Sequence, residues 1–187
     1  MSTQPRSIPR LHRAETVLLI VDVQDRLLPA MFEADKVAQN CTLLAHAARQ
    51  LQLPLVVTEQ YPEKLGRTIA PLSEVNPLIT PIPKMLFSSC TAPAMQALRE
   101  TGRSTVLLCG IEAHVCVLQT ALDLVEHGFE VFVPCDAIAS RQESNKQVGW
   151  ERMRAAGVLP TSAESAVFEL LRKAGTPDFK ALLPYLK

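Results

Sequence analysis

The stretch "STVLLCGIEAHVCVLQTALDLVEHG", residues 104–128, decides the fold. Its first seven residues form an apolar run closing on Gly110, the pattern of a strand buried on both faces. Residues 113–127 then read as a helix, which Gly128 stops. A buried strand that passes through a glycine into a helix is one βα unit of a parallel sheet.

The same alternation extends in both directions. Upstream, "TVLLIVD" (16–22) reads as a buried strand. Residues 34–52 carry Val37, Cys41, Leu44, Ala48 and Leu51 at helical spacing, closed by Pro54. "LPLVVTEQ" (53–60) gives a second strand. Residues 61–77, with Pro62, Gly66, Pro71 and Pro77, read as a long loop, and loops of that length inside a compact domain are usually functional. "LITPIPK" (78–84) is a short extended piece pinned by two prolines. Residues 91–101 read as a helix with Thr91 as its N-cap. Downstream, "FEVFVPCD" (129–136) is a strand, 144–156 a helix ending at Gly157, "GVLP" a short extended piece and 162–174 a helix. Gly175-Thr-Pro leads into a short helical tail. Strands alternating with helices predict an α/β chain whose parallel sheet is covered on both faces. Residues 1–15 read as a polar arm and 16–187 as one domain.

Lys plus Arg equals Asp plus Glu at 19 each, so the formal charge is zero. That speaks against nucleic acid as the main partner. Arg6, Arg10 and Arg13 in the arm read as a solvated tail rather than a phosphate-binding patch. Near-zero charge favours self-association. The five cysteines are odd in number, form no CxxC pair and follow no secretory leader, which predicts a reducing, cytoplasmic setting. The apolar run Val17 to Val21 is far too short to span a membrane, so no membrane partner is expected.

In open parallel sheets, ligands bind beyond the carboxyl ends of the strands. There the sequence puts Asp22, Lys84 and Cys116, along with Thr58-Glu59-Gln60-Tyr61 and Cys135-Asp136. A thiol is nucleophilic as thiolate; Lys84 and a helix N-terminus would both favour that anion, and Asp22 would carry the proton. Taken singly, Asp22 also reads as a turn cap, Lys84 as a solvated loop lysine and Cys116 as a packing cysteine. Cys41 and Cys109 read as core, while Cys90 and Cys135 lie near loops. His114 sits two residues from Cys116 and points away from it on a helix.

Asp22 in "LLIVDVQDRLL", Lys84 in "PIPKMLFS" and Cys116 in "GIEAHVCV" together resemble the isochorismatase-like cysteine hydrolase family, over roughly residues 16 to 140. "TEQYPEKLG" and "GIEAHVC" resemble most the isochorismatase domain-containing protein branch, which has no firmly assigned substrate. The resemblance implies a three-layer α/β/α sandwich around a six-stranded parallel Rossmann-like sheet. It implies a triad of Asp22, Lys84 and Cys116 with Cys116 as nucleophile. It also implies a non-proline cis peptide between Ile111 and Glu112, and an oxyanion hole made of the Glu112 and Cys116 amides. Family nicotinamidases carry an Asp-x-His metal site after the second strand. This sequence has no histidine there, and His12, His46, His114 and His127 show no ligand spacing. No metal and no cofactor are therefore expected. Glu112 stands where many relatives have a small residue or threonine, and its charge would repel anionic substrates.

The expected function is a metal-independent cysteine hydrolase cleaving the C–N bond of a small-molecule amide through a thioester. Gln24, Tyr61, Phe87 and Glu112 are expected to line its pocket. The alternatives are a catalytically silent binding protein on the same fold, and a ribonuclease, which the neutral charge disfavours. A homo-oligomer, dimer or tetramer, is expected. The tail "FKALLPYLK" packs either across a subunit boundary or on its own domain.

Overall fold

The protein is described as a computed structural model covering residues 8–186; Arg6 and the rest of residues 1–7, and Lys187, lie outside the described residues. Seven strands form one sheet: β1 (Thr16–Val21), β2 (Leu55–Gln60), β3 (Ile82–Lys84), β4 (Thr105–Ile111), β5 (Glu130–Pro134), β6 (Ile138–Ala139) and β7 (Leu159–Thr161). The order is β3-β2-β1-β4-β5-β7, with β6 pairing the end of β4, and the recorded strand pairs are all parallel. Six strands follow the expected path. The seventh, β6, is two residues long and too short to leave a periodic signal.

Alternation along β1 shows how the layers form. Leu18 and Ile20 belong to one apolar cluster, while Val17, Leu19 and Val21 belong to the other, because successive side chains leave opposite faces. Helices α1 (Ala34–Leu51), α7 (Ala163–Leu171) and α8 (Pro177–Leu182) contribute to the first cluster. Helices α4 (Ala92–Glu100), α5 (Leu118–Glu126) and α6 (Glu143–Ala155) contribute to the second. The three layers are those of the expected sandwich.

Three local expectations change, and one left open takes the second of its two forms. The 61–77 segment is not simple loop: Pro62 and Pro71 start two short helices, α2 (Pro62–Leu65) and α3 (Ala70–Val75), at the positions where a missing N–H costs nothing. Thr91 stands at the N-cap of α4, but its hydroxyl makes no capping bond and is buried without a partner. The arm is not wholly solvated, since Leu11 is fully buried in the first cluster. The tail packs on its own chain: Leu182 is buried, and Tyr185 stacks on His46 of α1 with ring centroids 3.8 Å apart.

The helix expected over 113–127 begins as a π turn, Ala113–Val117, before α5. Gly110 makes the approach possible. It adopts φ +122°, and a Cβ there would lie 2.1 Å from the Val21 carbonyl oxygen. The ends of β1 and β4 therefore meet closely where the strand order reverses. That is the crevice in which open α/β sheets bind ligands.

Candidate active site

Asp22 follows β1 with φ +57°, a left-handed conformation that aspartate tolerates better than most residues. Its side chain is fully buried. Lys84 ends β3, and its Nζ donates to Asp22 Oδ2 at 2.6 Å, with both side chains inaccessible to solvent. The same ammonium donates to Gln60 Oε1 at 2.7 Å and to the carbonyls of Phe87 at 2.9 Å and Leu86 at 3.2 Å. Three N–H groups thus face four acceptors, so Lys84 is saturated by the protein. Its ammonium and the Gln60 amide, which donates to the Met85 carbonyl, turn the 85–87 backbone inward. The side chains of Met85, Leu86 and Phe87 are thrown outward, at 66, 66 and 54 % exposure.

Cys116 lies in the π turn and is buried, against Asp22. Burial first, and then the Asp22 charge, push its thiol up to about 12; Lys84 and the Glu112 backbone amide pull the other way. Burial likewise raises the Asp22 carboxyl, against the pull of Lys84. The electrostatics correct the expectation of a thiolate poised at rest. Lys84 is neutralised by its own ion pair, and desolvation disfavours every added charge. The resting site holds a thiol, and ionisation requires a transfer of its proton.

A network of buried hydroxyls surrounds the pair. Thr58 Oγ1 donates to Asp22 Oδ1 at 2.8 Å and lies 3.0 Å from Ser89 Oγ. The Ser89 amide donates to Thr120 Oγ1 at 2.8 Å, and Thr120 donates to the Cys116 carbonyl at 2.6 Å. Behind the π turn sits Gly149 of α6. A Cβ there would meet His114 Cα at 2.8 Å and the Ala113 oxygen at 2.9 Å. Only a residue without a side chain lets α6 support the turn this closely.

The Ile111–Glu112 peptide is cis, and the Glu112 amide is directed at the Cys116 sulfur. The Glu112 carboxylate is buried and takes Arg141 Nε at 3.1 Å and Nη2 at 2.9 Å. Burial alone would raise Glu112, but Arg141 outweighs it and holds the carboxyl below its ordinary value. The pairing changes the reading of Glu112 as a naked repelling charge.

The structure thus brings Asp22, Lys84 and Cys116 together, with Glu112 beside them. The pocket residues divide. Gln24 is fully buried, and its amide is consumed by backbone: Nε2 donates to the Gln60 and Gly66 carbonyls, and Oε1 accepts from the Gln60 N–H. It ties the 61–66 segment to β2 instead of facing a ligand. Tyr61 and Phe87 stand exposed on the rim. His114 bonds Ser140 through Nδ1 at 2.9 Å. Cys41 and Cys109 are core. Among the described residues, no three His, Cys, Asp or Glu side chains gather as a metal site would need. Thr58 and Gln60 were legible as polar residues ending a strand. Ser89, Thr120, Gly149 and Arg141 carried no sequence signal.

A family model, the isochorismatase domain, matches residues 16–165. The "Secreted isochorismatase effector Isc1" of Phytophthora sojae is 38% identical over 192 residues, covering all of this chain and 91% of the relative. Among solved structures, the MAR1 ribonuclease from Caenorhabditis elegans superposes with a TM-score of 0.89 at 35% identity, covering 95% of this chain and 92% of that one. YcaC from Pseudomonas aeruginosa, described with hexane-2,5-diol and covalent acrylamide, gives 0.89 at 28% identity, with 97% and 93% covered. Its Escherichia coli counterpart, described as an octameric hydrolase of unknown specificity, gives 0.88 at 26%, with 97% and 95% covered.

Proposed function

The chain belongs to the isochorismatase family, and from that premise we propose a metal-independent cysteine hydrolase that cleaves the C–N bond of a small-molecule amide. The observation that carries the reading is the buried Lys84–Asp22 pair at 2.6 Å beside Cys116, with the Glu112 amide aimed at the sulfur. Asp22 takes the thiol proton as sulfur attacks the carbonyl carbon. The Glu112 and Cys116 amides take the developing oxyanion, a contribution of about 3–4 kcal/mol per donor in comparable sites. The proton passes to the leaving amine, a thioester remains on Cys116, and water releases the acid. Lys84 touches no substrate; it fixes Asp22 and the 85–87 segment. The Pseudomonas aeruginosa neighbour is described with covalent acrylamide, an alkylating reagent, which supports a nucleophilic group in that relative and says nothing of amide cleavage. In an amide screen, Cys116→Ala abolishes turnover while leaving the fold intact; turnover surviving in that variant overturns the mechanism.

The name of the Caenorhabditis elegans neighbour favours a second reading, RNA cleavage. Zero net charge opposes it. RNA degradation that co-purifies with the protein and disappears in Cys116→Ala would establish it. The raised Cys116 thiol favours a third, a silent binding protein; an acyl adduct on Cys116 rules that out. The exposed Met85-Leu86-Phe87 rim and the octamer of the Escherichia coli neighbour support self-association of this chain, and a monomer by light scattering would refute it. The five unpaired cysteines support a cytoplasmic setting, although the Phytophthora sojae relative is named as secreted. No helix among the described residues is long and apolar enough to cross a membrane.

A further inference from the structure

Behind β2, on the face of the sheet turned away from Cys116, lies a cavity that the chemistry above does not use. Side chains alternate along a strand. Thr58 and Gln60 point to Asp22 and Lys84, and Val56 joins the apolar cluster that holds Cys116. Val57 joins the opposite cluster, Leu55 packs against it, and Glu59 leaves by that same face. With Ile20 of β1, Leu55 and Val57 floor the cavity, and Leu72 of α3 and Ile79 wall it. Glu59 stands at one end. The volume is about 260 Å³.

The carboxylate of Glu59 is not fully used by the protein. Its Oε1 accepts from the Thr68 amide at 2.7 Å and from Thr68 Oγ1 at 2.8 Å. Its Oε2 accepts from Arg67 Nη1 alone, at 3.1 Å. An ionised carboxylate can accept about four hydrogen bonds, so among the described residues one acceptor position on Oε2 is open. The Glu59 side chain is only 3 % exposed, while that of Arg67 is 75 % exposed. A cation so exposed is screened by water and neutralises its partner weakly. The cavity thus joins apolar walls to a buried anion whose counter-charge stands in solvent.

Those two features select one kind of occupant. Apolar walls favour an apolar body, and a buried carboxylate with an open acceptor position favours a cationic donor. We propose that this cavity binds a small arylalkyl primary amine, its ammonium on Glu59 Oε2 and its ring against Ile20, Leu72 and Ile79. A primary amine carries its charge at neutral pH, and its ammonium supplies three donors. An apolar cavity of about 150 Å³ takes benzene, so about 260 Å³ admits a ring with a short ammonium arm. Arg67 and Ser73 line the cavity and are exposed, which gives the amine a way in. The inference does not depend on the role proposed for Cys116.

The test uses phenethylamine as probe and phenethyl alcohol as its neutral counterpart of the same shape. Each is titrated into the isotope-labelled full chain, and backbone amide NMR shifts report where it binds. The Thr68 amide, which donates to Glu59, is expected to move with phenethylamine, together with the amides of Leu72 and Ile79. The amine is expected to bind about tenfold more tightly than the alcohol, the difference between a charge-assisted and a neutral hydrogen bond. Glu59→Gln keeps the shape and removes the charge, so the two probes become equivalent. Arg67→Met, a change at an exposed side chain, leaves Glu59 without its cation and widens the preference for the amine. No binding, or equal affinities in the wild type, overturns the inference. So does a preference that survives in Glu59→Gln or fails to widen in Arg67→Met. Shifts confined to Gly110, Glu112 and Val117 would put the amine in the Cys116 crevice and overturn it as well.

Discussion

Replacing Asp22 by Asn separates the two effects of that carboxylate on Cys116. The substitution is nearly isosteric and removes one negative charge beside a thiol held at about 12. Burial persists in the variant, but Lys84 loses its counter-charge and acts on the sulfur alone. Two unit charges about 4 Å apart interact by about 4 kcal/mol at an effective dielectric of 20, or about three pKa units. The thiol should fall to about 9. Near pH 8 the thiolate fraction then rises about 1000-fold, from about 10⁻⁴ to about 10⁻¹. A less basic thiolate is intrinsically slower, with a Brønsted slope of about 0.45, which takes back about 20-fold. The net expectation is alkylation of Cys116 about 50-fold faster than in the wild type, while turnover is lost with the proton acceptor. The assay is iodoacetamide labelling of Cys116 against pH by peptide mass spectrometry. An Asp22→Asn variant that labels no faster than wild type, or more slowly, refutes the electrostatic account.

Further predictions follow from the same contacts. Lys84→Met leaves a buried, unpaired Asp22 and should cost about 3–5 kcal/mol by urea denaturation; a loss below about 1 kcal/mol would mean the pair is solvated. Thr58→Val removes a donor to the charged form of Asp22, so the carboxyl, already raised by burial, rises further. Because the ionised form is the one that accepts the thiol proton, the acidic limb of the pH–rate profile moves to higher pH, and Thr58→Ser leaves it in place; a limb unmoved by valine would show that Thr58 does not act on Asp22. Gly149→Ala forces the π turn away from α6 and should destabilise by about 1–3 kcal/mol while slowing Cys116 labelling. Unchanged labelling would mean that the turn does not depend on α6.

The sheet was legible because its evidence is local. A strand buried on both faces shows as an unbroken apolar run, and "TVLLIVD" and "STVLLCG" are such runs. Asp22, Lys84 and Cys116 were legible because Asp22 follows a strand, Lys84 ends one and Cys116 lies in the first helical turn after another, where the topology gathers them. What escaped detection depends on pairing over distance. Arg141 alters Glu112 from 29 positions away, and nothing in either segment announces the partner. Ser89 and Thr120 look like ordinary polar residues until the segment between β3 and α4 meets α5. Gln24 was expected at the ligand, since a polar residue past a strand reads the same whether it faces solvent or backbone. The poise of the thiol was misjudged for a related reason. The burial of a single thiol in a turn is not written in the local sequence, and desolvation is the largest influence on Cys116.

The central claim is that Cys116 is the nucleophile of an amide hydrolase. It is met most directly by mixing the protein with a panel of small amides and quenching in acid. Intact-protein and peptide mass spectrometry then locate any covalent acyl group. The account predicts that amine is released as an acyl adduct forms on Cys116, that the adduct decays with release of the acid, and that both are absent in Cys116→Ala. Amine release that persists in Cys116→Ala, or an adduct on another residue, would contradict it.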